Sequence, residues 1–229
     1  MNETYLNNSF RNLIAIIGAS LLLVSQVEAS TMAIPLFNTG VNGSGGLLAN
    51  TTIDPHYSVI AAPNPYNTAY TGTGSDTTGP MPWLDDGPNS RWIGVTPWMA
   101  EWRPTGTYTF RTTFDLSGMI PGSATINLSI VADNTCDVYL NGVHTGITTP
   151  FEKFDSFSNY SISSGFINGV NTLDFSIYEP GSTPCGLRVE MTGYATPVPE
   201  PTVLGLTALA TFFLVARRGK KSRQLFEQR

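Results

Sequence analysis

Histidine and cysteine, which supply many nucleophiles, proton carriers and metal ligands, are scarce in this chain of 229 residues. The only histidines are His56 and His144, and the only cysteines are Cys136 and Cys185. No His pair or Cys-His spacing of a zinc site occurs, and no Gly-x-Ser-x-Gly sequence positions a hydrolase nucleophile. The sequence therefore predicts no catalytic residue and no cofactor.

Carboxylates are the one kind of side chain in this sequence that could still support catalysis. Glycoside hydrolases use two of them, and such a pair would come from Glu101, Asp85 or Asp137. No spacing favours any one pair, because acidic residues are the ordinary surface of this chain. A hydrolytic enzyme that acts on extracellular polysaccharide is thus the alternative to a non-catalytic protein.

Charged residues are few, at 13% of the chain, and unevenly distributed. Seven of the 12 basic residues, but only three of the 17 acidic ones, lie outside Ser30 to Pro201. That segment keeps five basic and 14 acidic residues, a net charge of −9. A domain this acidic lacks the basic surface that binds nucleic acid or an anionic membrane surface. Its length suits one domain with a sizeable core.

The first 29 residues have the layout of a secretory signal peptide. Leu13 to Val24 is an uncharged, mostly apolar run that follows Arg11 and precedes Val27-Glu28-Ala29. The run is short for a membrane span, and the small residues before Ser30 suit a signal peptidase. We predict export, with cleavage after Ala29.

The last residues, 196–229, form three segments with different physical properties. Three prolines within residues 197–201 keep that backbone extended. The uncharged segment 202–216 would cover roughly 22 Å as a helix, less than the ~30 Å hydrocarbon core. It would span the inner membrane only with snorkelling flanks or local thinning. A basic stop follows, which the positive-inside rule leaves in the cytoplasm: Arg217, Arg218, Lys220, Lys221 and Arg223.

In this order, Val198-Pro199-Glu200-Pro201, a short apolar segment and an arginine-containing stop resemble the sorting tail of bacterial PEP-CTERM proteins. The resemblance implies that Pro199, Glu200 and Pro201 are recognition positions for a membrane-embedded exosortase. It also implies transient insertion in the inner membrane, followed by transfer to the cell surface or secretion, often in organisms that make exopolysaccharide. We expect the tail to be a sorting signal that is removed after it has directed the protein to its destination.

From Gly106 onward, apolar and polar residues alternate as they do in half-buried strands. Asn141-Gly142 supplies the two positive-φ positions of a tight hairpin turn, and residues 56–61 are a further candidate strand. The fold class is therefore all-β, an antiparallel β-sandwich or jelly roll, flanked by a signal helix and a transmembrane helix. The predicted inward faces are Tyr108, Phe110 and Phe114; Ile126, Leu128 and Ile130; Cys136, Val138 and Leu140; Leu173, Phe175 and Ile177; and Leu187, Val189 and Met191.

Three sequences within these strands, residues 106–115, 132–142 and 169–173, resemble the framework of galactose-binding-like jelly rolls. Such modules are common accessory domains of glycosidases, in which a Leu-Asn-Gly hairpin and a Gly-x-Asn-x-Leu strand start recur. The fold is widely reused, so sugar binding does not follow from it. The predicted organisation is a signal peptide at 1–29, a Gly/Thr/Asn/Pro-rich part of the sandwich with loops at 30–82, the sandwich core at 83–195 and the sorting tail at 196–229.

Two groups of residues are candidates for a ligand site: the four tryptophans, and the pair Asp133 and Asn134. An exposed indole can stack on the apolar face of a pyranose, and the alternative is that it packs over the open end of the core. Asp133 and Asn134 carry the hard oxygen ligands that Ca²⁺ prefers, against a local turn role in which they bond their own backbone. The four tryptophans are Trp83, Trp92, Trp98 and Trp102.

Cys136 occupies the same alternating positions as Val138 and Leu140, and Cys185 the same as Leu187 and Val189. Both cysteines are therefore expected to point into the core. We predict a disulfide between Cys136 and Cys185 that closes a loop of about 50 residues, with two separate buried thiols as the alternative. The leading hypothesis is an exported, surface-sorted, non-catalytic sandwich. It would bind carbohydrate or act structurally in an extracellular polysaccharide layer.

Overall fold

The part of the chain that the structure describes is organised as two antiparallel β-sheets joined by loops. The structure is a computed structural model, and it describes residues 30–63, 65–72, 83–98, 101–151, 153–181 and 183–199. The six-stranded sheet has the order β3-β4-β11-β6-β9 with β1 beside β11, and the five-stranded sheet has the order β2-β5-β10-β7-β8. The strands are β1 (Met32–Ala33), β2 (Ser58–Ala61), β3 (Tyr70–Gly72), β4 (Trp92–Gly94), β5 (Gly106–Asp115), β6 (Met119–Asp133), β7 (Cys136–Leu140), β8 (Val143–Thr148), β9 (Ser158–Ile162), β10 (Val170–Glu179) and β11 (Gly186–Pro197).

The two ends of the chain lie outside the described residues. This applies to the predicted signal peptide, to the apolar segment 202–216 and to the basic stop. Within the described ranges, no helix is long and apolar enough to cross a membrane. Residues Thr31–Pro197 form one compact unit, which is an all-β sandwich.

The main core lies between the two sheets, and its composition follows from the two-residue period of the strands. All five predicted inward faces are confirmed, because none of their fifteen side chains is more than 7% exposed. The segment 56–61 is confirmed in part: β2 begins at Ser58 and pairs with β5, with Val59 opposite Phe110.

The predicted Asn-Gly hairpin is confirmed, and it is bonded to the start of β10. Asn141 and Gly142 have φ angles of 52° and 78°, and Leu140 pairs with Val143 across the turn. The side-chain Nδ2 of Asn141 donates to Oδ1 of buried Asn171 at 2.9 Å, and the backbone amide of Thr172 donates back to Asn141 Oδ1 at 3.0 Å. The Leu-Asn-Gly and Gly-x-Asn-x-Leu sequences therefore act as one structural unit.

A second, smaller core covers the outer face of the six-stranded sheet. Trp83 and Trp92 stack there with ring centroids 4.3 Å apart, against Val131 of β6. Arg188 lies beside this cluster, only 2% exposed, although its alternation with Leu187 and Val189 places it on the outer face. Its Nε donates to Ser90 Oγ at 2.7 Å, so the loop before β4 is fastened over the sheet.

The N-terminal segment, predicted to consist of turns and loops, is fastened by one buried carboxylate. Asp54 is 2% exposed and accepts hydrogen bonds from the backbone amides of Gly40, His56 and Tyr57, at 2.7, 2.8 and 3.2 Å. Burial raises the pKa of Asp54 above its usual value, against the opposing effect of these hydrogen bonds. Thr39 continues the attachment, since its amide donates to the carbonyl of Val189 at 3.0 Å.

Candidate functional site

The four candidate tryptophans fall into a buried pair and an exposed pair. Trp83 is 4% exposed and Trp92 is fully buried, whereas Trp98 and Trp102 are 61% and 75% exposed. The first pair fills the outer core, with Trp83 Nε1 donating to Asp133 Oδ2 at 2.9 Å and Trp92 Nε1 to the Leu84 carbonyl at 2.8 Å. The packing alternative therefore holds for the buried pair, and only Trp98 and Trp102 remain available to a ligand.

The exposed pair lies on one loop, whose described residues are 96–98 and 101–103, and which we term the tryptophan loop. Arg103 is 1% exposed beneath it. Its Nη2 donates to the Trp98 carbonyl at 2.6 Å and to Thr96 Oγ1. Its Nη1 lies 3.2 Å from Glu101 Oε2 and 3.5 Å from the Trp102 carbonyl. One guanidinium thus holds the backbone of both tryptophans.

The same arginine attaches the loop to the sandwich. The Arg103 amide donates to the Thr183 carbonyl at 3.0 Å, and its guanidinium carbon lies 5.9 Å from the centre of the Tyr66 ring. The Tyr108 hydroxyl donates to the Pro104 carbonyl at 2.8 Å. A tyrosine hydroxyl is protonated at neutral pH in any case, and burial raises the pKa of Tyr108 further, to about 12.

A small cavity of about 270 Å³ adjoins the support of the tryptophan loop. Tyr66 lines it and also carries the Arg103 contact. The rest of its lining comes from β2 and the following turn: Val59, Ile60, Ala61, Ala62, Pro65 and Asn67. An indole binds the apolar face of a sugar ring, and a phenol and an amide bind hydroxyls. The exposed tryptophans, Tyr66 and Asn67 are therefore of the kinds that a sugar site uses.

Asp133 and Asn134 are both committed to protein contacts. Asp133 accepts from Trp83, as described above, and the side-chain Nδ2 of Asn134 donates to Glu179 Oε2 at 2.8 Å. Glu179 also accepts from the Thr183 hydroxyl and from the amides of Gly181 and Thr183. Among the described residues, no group of three or more His, Cys, Asp or Glu side chains is placed to hold a metal ion. Both partners are distant in sequence, so these contacts are structural, but they are not the local turn role in which the two residues bond their own backbone.

The carboxylates of the hydrolase alternative also have local partners. Glu101 pairs with Arg103 and accepts from Thr96 Oγ1 at 3.1 Å. Asp137 accepts from Thr148 Oγ1 at 2.6 Å and lies 3.6 Å from His144 Nε2. Asp85 is exposed, and its carbonyl accepts from Arg188.

The predicted disulfide is not formed, so that prediction is wrong. Cys136 and Cys185 are both buried free thiols. Cys136 begins β7 of the five-stranded sheet, whereas Cys185 lies just before β11 of the six-stranded sheet. A disulfide needs Cα atoms within about 7 Å and facing Cβ vectors. The prediction that both side chains point into the core is confirmed. That orientation does not determine the distance between the two residues.

Arg103 is the residue that reasoning from the sequence missed. Its position directly after Trp102 and before Pro104, in a proline-rich segment, suggested an ordinary loop residue. The burial of Arg188 was not predicted either, because the alternation of a strand does not show that a loop covers its outer face. The one available signal was that each of these cations has an apolar residue on both sides in the sequence.

Comparison with known proteins gives similarity to solved structures only. No protein-family model and no curated protein matches the chain. A family 35 carbohydrate-binding module from Paenibacillus barcinonensis is 11% identical, with a TM-score of 0.35, over 71% of this chain and 97% of the module. A family 29 carbohydrate-binding module variant, complexed with mannohexaose, is 11% identical with a TM-score of 0.36, over 75% of this chain and 94% of its own. A Stig cyclase from Fischerella, in complex with an indole compound, is also 11% identical, with a TM-score of 0.39, over 74% of this chain and all of its own.

Proposed function

We propose that this protein is a non-catalytic carbohydrate-binding protein of the galactose-binding-like jelly-roll type, and that the tryptophan loop is its binding site. The observation that carries the proposal is the pair of exposed indoles, Trp98 and Trp102, on a backbone held by buried Arg103. A stacking platform loses affinity when it must be ordered on binding. Here the backbone on either side of the loop is already held.

The chemistry of the loop suits a sugar chain that carries little or no charge. Each indole offers a flat apolar face to the CH groups of a pyranose ring. The half-exposed Glu101 carboxylate lies between the two tryptophans in sequence and can accept hydrogen bonds from sugar hydroxyls. The net charge of −9 for residues 30–201 disfavours strongly anionic chains.

The test is a glycan array probed with the full-length chain, followed by titration with the best oligosaccharide. We expect the Trp98→Ala and Trp102→Ala variants to bind at least tenfold more weakly, with unchanged circular dichroism. Tyr194→Ala is the matched control, because it removes an exposed aromatic ring on β11, eleven residues beyond Thr183, whose carbonyl holds Arg103. Equal affinity of all three variants and the native chain would refute the assignment of the site.

We further propose that the protein is exported through its N-terminal signal peptide and sorted by its tail to the cell surface or medium, where it belongs to a polysaccharide layer. Both ends of the sequence support this, and the exposure of Val198 and Pro199 agrees with an accessible recognition segment. The partners would be an exosortase and, transiently, the inner membrane.

Sorting is tested by deleting Pro199 to Pro201 in the native host. We expect the shortened chain to accumulate in the membrane fraction, while a control that lacks Glu227 to Arg229 is released normally. Unchanged release of the Pro199–Pro201 deletion would overturn the sorting proposal without affecting the proposal of sugar binding.

A further inference from the structure

A groove runs along the side of the sandwich where the last strands of the two sheets meet. β8 ends the five-stranded sheet and β9 ends the six-stranded sheet. The Tyr160 hydroxyl donates to the Thr148 carbonyl at 3.3 Å and joins the two edges. Residues of both strands, of the end of β7 and of the turn after β9 enclose a cavity of about 330 Å³, which we term the β8–β9 groove.

The lining of this groove has the two kinds of surface that a sugar ring needs. Leu140 and Ile162 are buried and give it an apolar base, while exposed His144, Ser161 and Ser163 bring polar groups to its rim. Hydroxyl groups both donate and accept hydrogen bonds, as sugar hydroxyls do. The volume lies at the small end of ligand sites, about 300–1,000 Å³, which suits one or two monosaccharide units.

The wall of the groove is fixed before any ligand arrives. Asn141 donates to the Gly165 carbonyl at 3.0 Å, and its bond to Asn171 anchors it to β10. Gly165 has a φ of +88°, and a Cβ there would lie 3.2 Å from Leu140 Cδ2. The turn after β9 therefore has both its conformation and its position set by the framework.

Other occupants fit this groove less well. The described residues that line it include no lysine or arginine, and Asp137 lies beside His144, so an anionic chain would meet little compensating charge. An added peptide strand would need a regular edge. β8 is irregular, because its register against β7 shifts between Asp137 and Tyr139, and Gly146 has a φ of +83°. Irregular edges of this kind resist strand addition.

The groove and the tryptophan loop lie at opposite ends of the sandwich. The tryptophan loop leads into Gly106, which pairs with Glu179, whereas Leu140 of the groove pairs with Leu173. Glu179 and Leu173 are six residues apart on β10, which corresponds to about 20 Å at the rise of a strand. One sugar residue could not contact both sites.

We propose that the β8–β9 groove is a second binding site, for one or two units of a neutral polysaccharide. With the tryptophan loop it makes the protein bivalent, so that it cross-links polysaccharide chains. The groove is argued from its own residues, and only the cross-linking rests on the proposed function of the tryptophan loop.

The first experiment isolates the groove in a full-length chain that carries Trp98→Ala and Trp102→Ala. It is titrated with hexasaccharides of glucose, mannose, galactose and xylose while backbone amide resonances are recorded. We expect one of them to shift the amides of Thr145, Ser161 and Gly165. If no hexasaccharide shifts these amides, the second site is refuted, whatever the native chain binds. A response only to an extended Thr-Val hexapeptide would likewise overturn it in favour of strand addition.

The second experiment removes the hydroxyls from the rim. In the same background, Ser161→Ala combined with Ser163→Ala and Ser164→Ala should weaken the hexasaccharide at least tenfold. The control combines Thr107→Ala with Thr113→Ala, two exposed hydroxyls on β5, and should change affinity less than twofold. Equal weakening by both sets, or by neither, contradicts the proposal.

Cross-linking has its own readout. The native chain should make a solution of the matching long polysaccharide turbid. The Trp98→Ala, Trp102→Ala variant and a chain that carries only the three serine changes should each bind without raising turbidity. If the groove binds but the native chain leaves the solution clear, bivalency fails and the second site stands. If only the tryptophan variant loses binding, the groove assignment fails instead.

Discussion

Replacing Arg103 by methionine tests whether one buried guanidinium organises the tryptophan loop. Methionine keeps much of the apolar length of the side chain and removes its donors. Two strong hydrogen bonds are lost, to the Trp98 carbonyl at 2.6 Å and to Thr96 Oγ1. Bonds of this charged kind contribute about 1.5–3 kcal/mol each.

An opposing effect comes from Arg103 Nε, which is buried and has no hydrogen-bond partner among the described residues. Leaving such a donor unsatisfied costs about 1–3 kcal/mol, and methionine removes that cost. Glu101 is half exposed, so it keeps its hydration when its partner is lost. We therefore expect Arg103→Met to lower the free energy of unfolding by about 2–3 kcal/mol, and its sugar affinity to fall about tenfold although both indoles remain.

The measurement is urea unfolding of the full-length chain, followed by circular dichroism and analysed by linear extrapolation. Lys153→Met is the control for loss of a cation, because Lys153 is exposed and a surface change of this kind alters stability by less than about 0.5 kcal/mol. An Arg103→Met chain with native stability and native sugar affinity would refute the idea that Arg103 supports the site.

Three further predictions follow from the burial of single side chains. Trp83→Ala should lower the free energy of unfolding by about 3–5 kcal/mol, since it empties the outer core, whereas Trp102→Ala should change it by under about 0.5 kcal/mol; similar losses in urea unfolding would contradict the assignment of buried and exposed pairs. Burial raises the pKa of the Cys136 and Cys185 thiols, so a thiol reagent at neutral pH should titrate none in the native chain and two in the unfolded, non-reduced chain; fewer than two in the unfolded chain would restore the disulfide. Burial also raises the pKa of Asp54. Between the unfolded value near 3.9 and this higher value the native state binds more protons, so the free energy of unfolding should fall as pH rises. Asp54→Asn should remove that slope from a pH series of urea curves, and an unchanged slope would assign it to another group.

The sandwich was predictable from local pattern because each long strand has one apolar face. Alternation in β5, β7 and β10 fixed their inward residues, and Asn141-Gly142 fixed the turn between β7 and β8. These signals are local, since they depend only on the period of a strand and the φ preference of a turn.

The site was predictable only in part, because exposure depends on contacts between distant segments. All four tryptophans lie within twenty residues and look alike in sequence, yet Trp92 packs against Val131 of β6 and beside Gly186 of β11, while Trp102 faces solvent. The burial of Arg103 depends on Thr183, eighty residues further along the chain. No local period encodes such contacts.

The position of β11 also has a mechanical consequence. This strand is the last of the sandwich, and it lies inside its sheet, paired with β6 from Gly186 to Pro197 and with β4 and β1 on its other side. Its hydrogen bonds run perpendicular to the strand, so a pull on the chain beyond Pro197 loads many of them together in shear. Strands at an edge are peeled away one bond at a time, whereas β11 would yield only when the whole row slides. The pairing of β11 on both sides therefore predicts resistance to a pull along the axis of this strand.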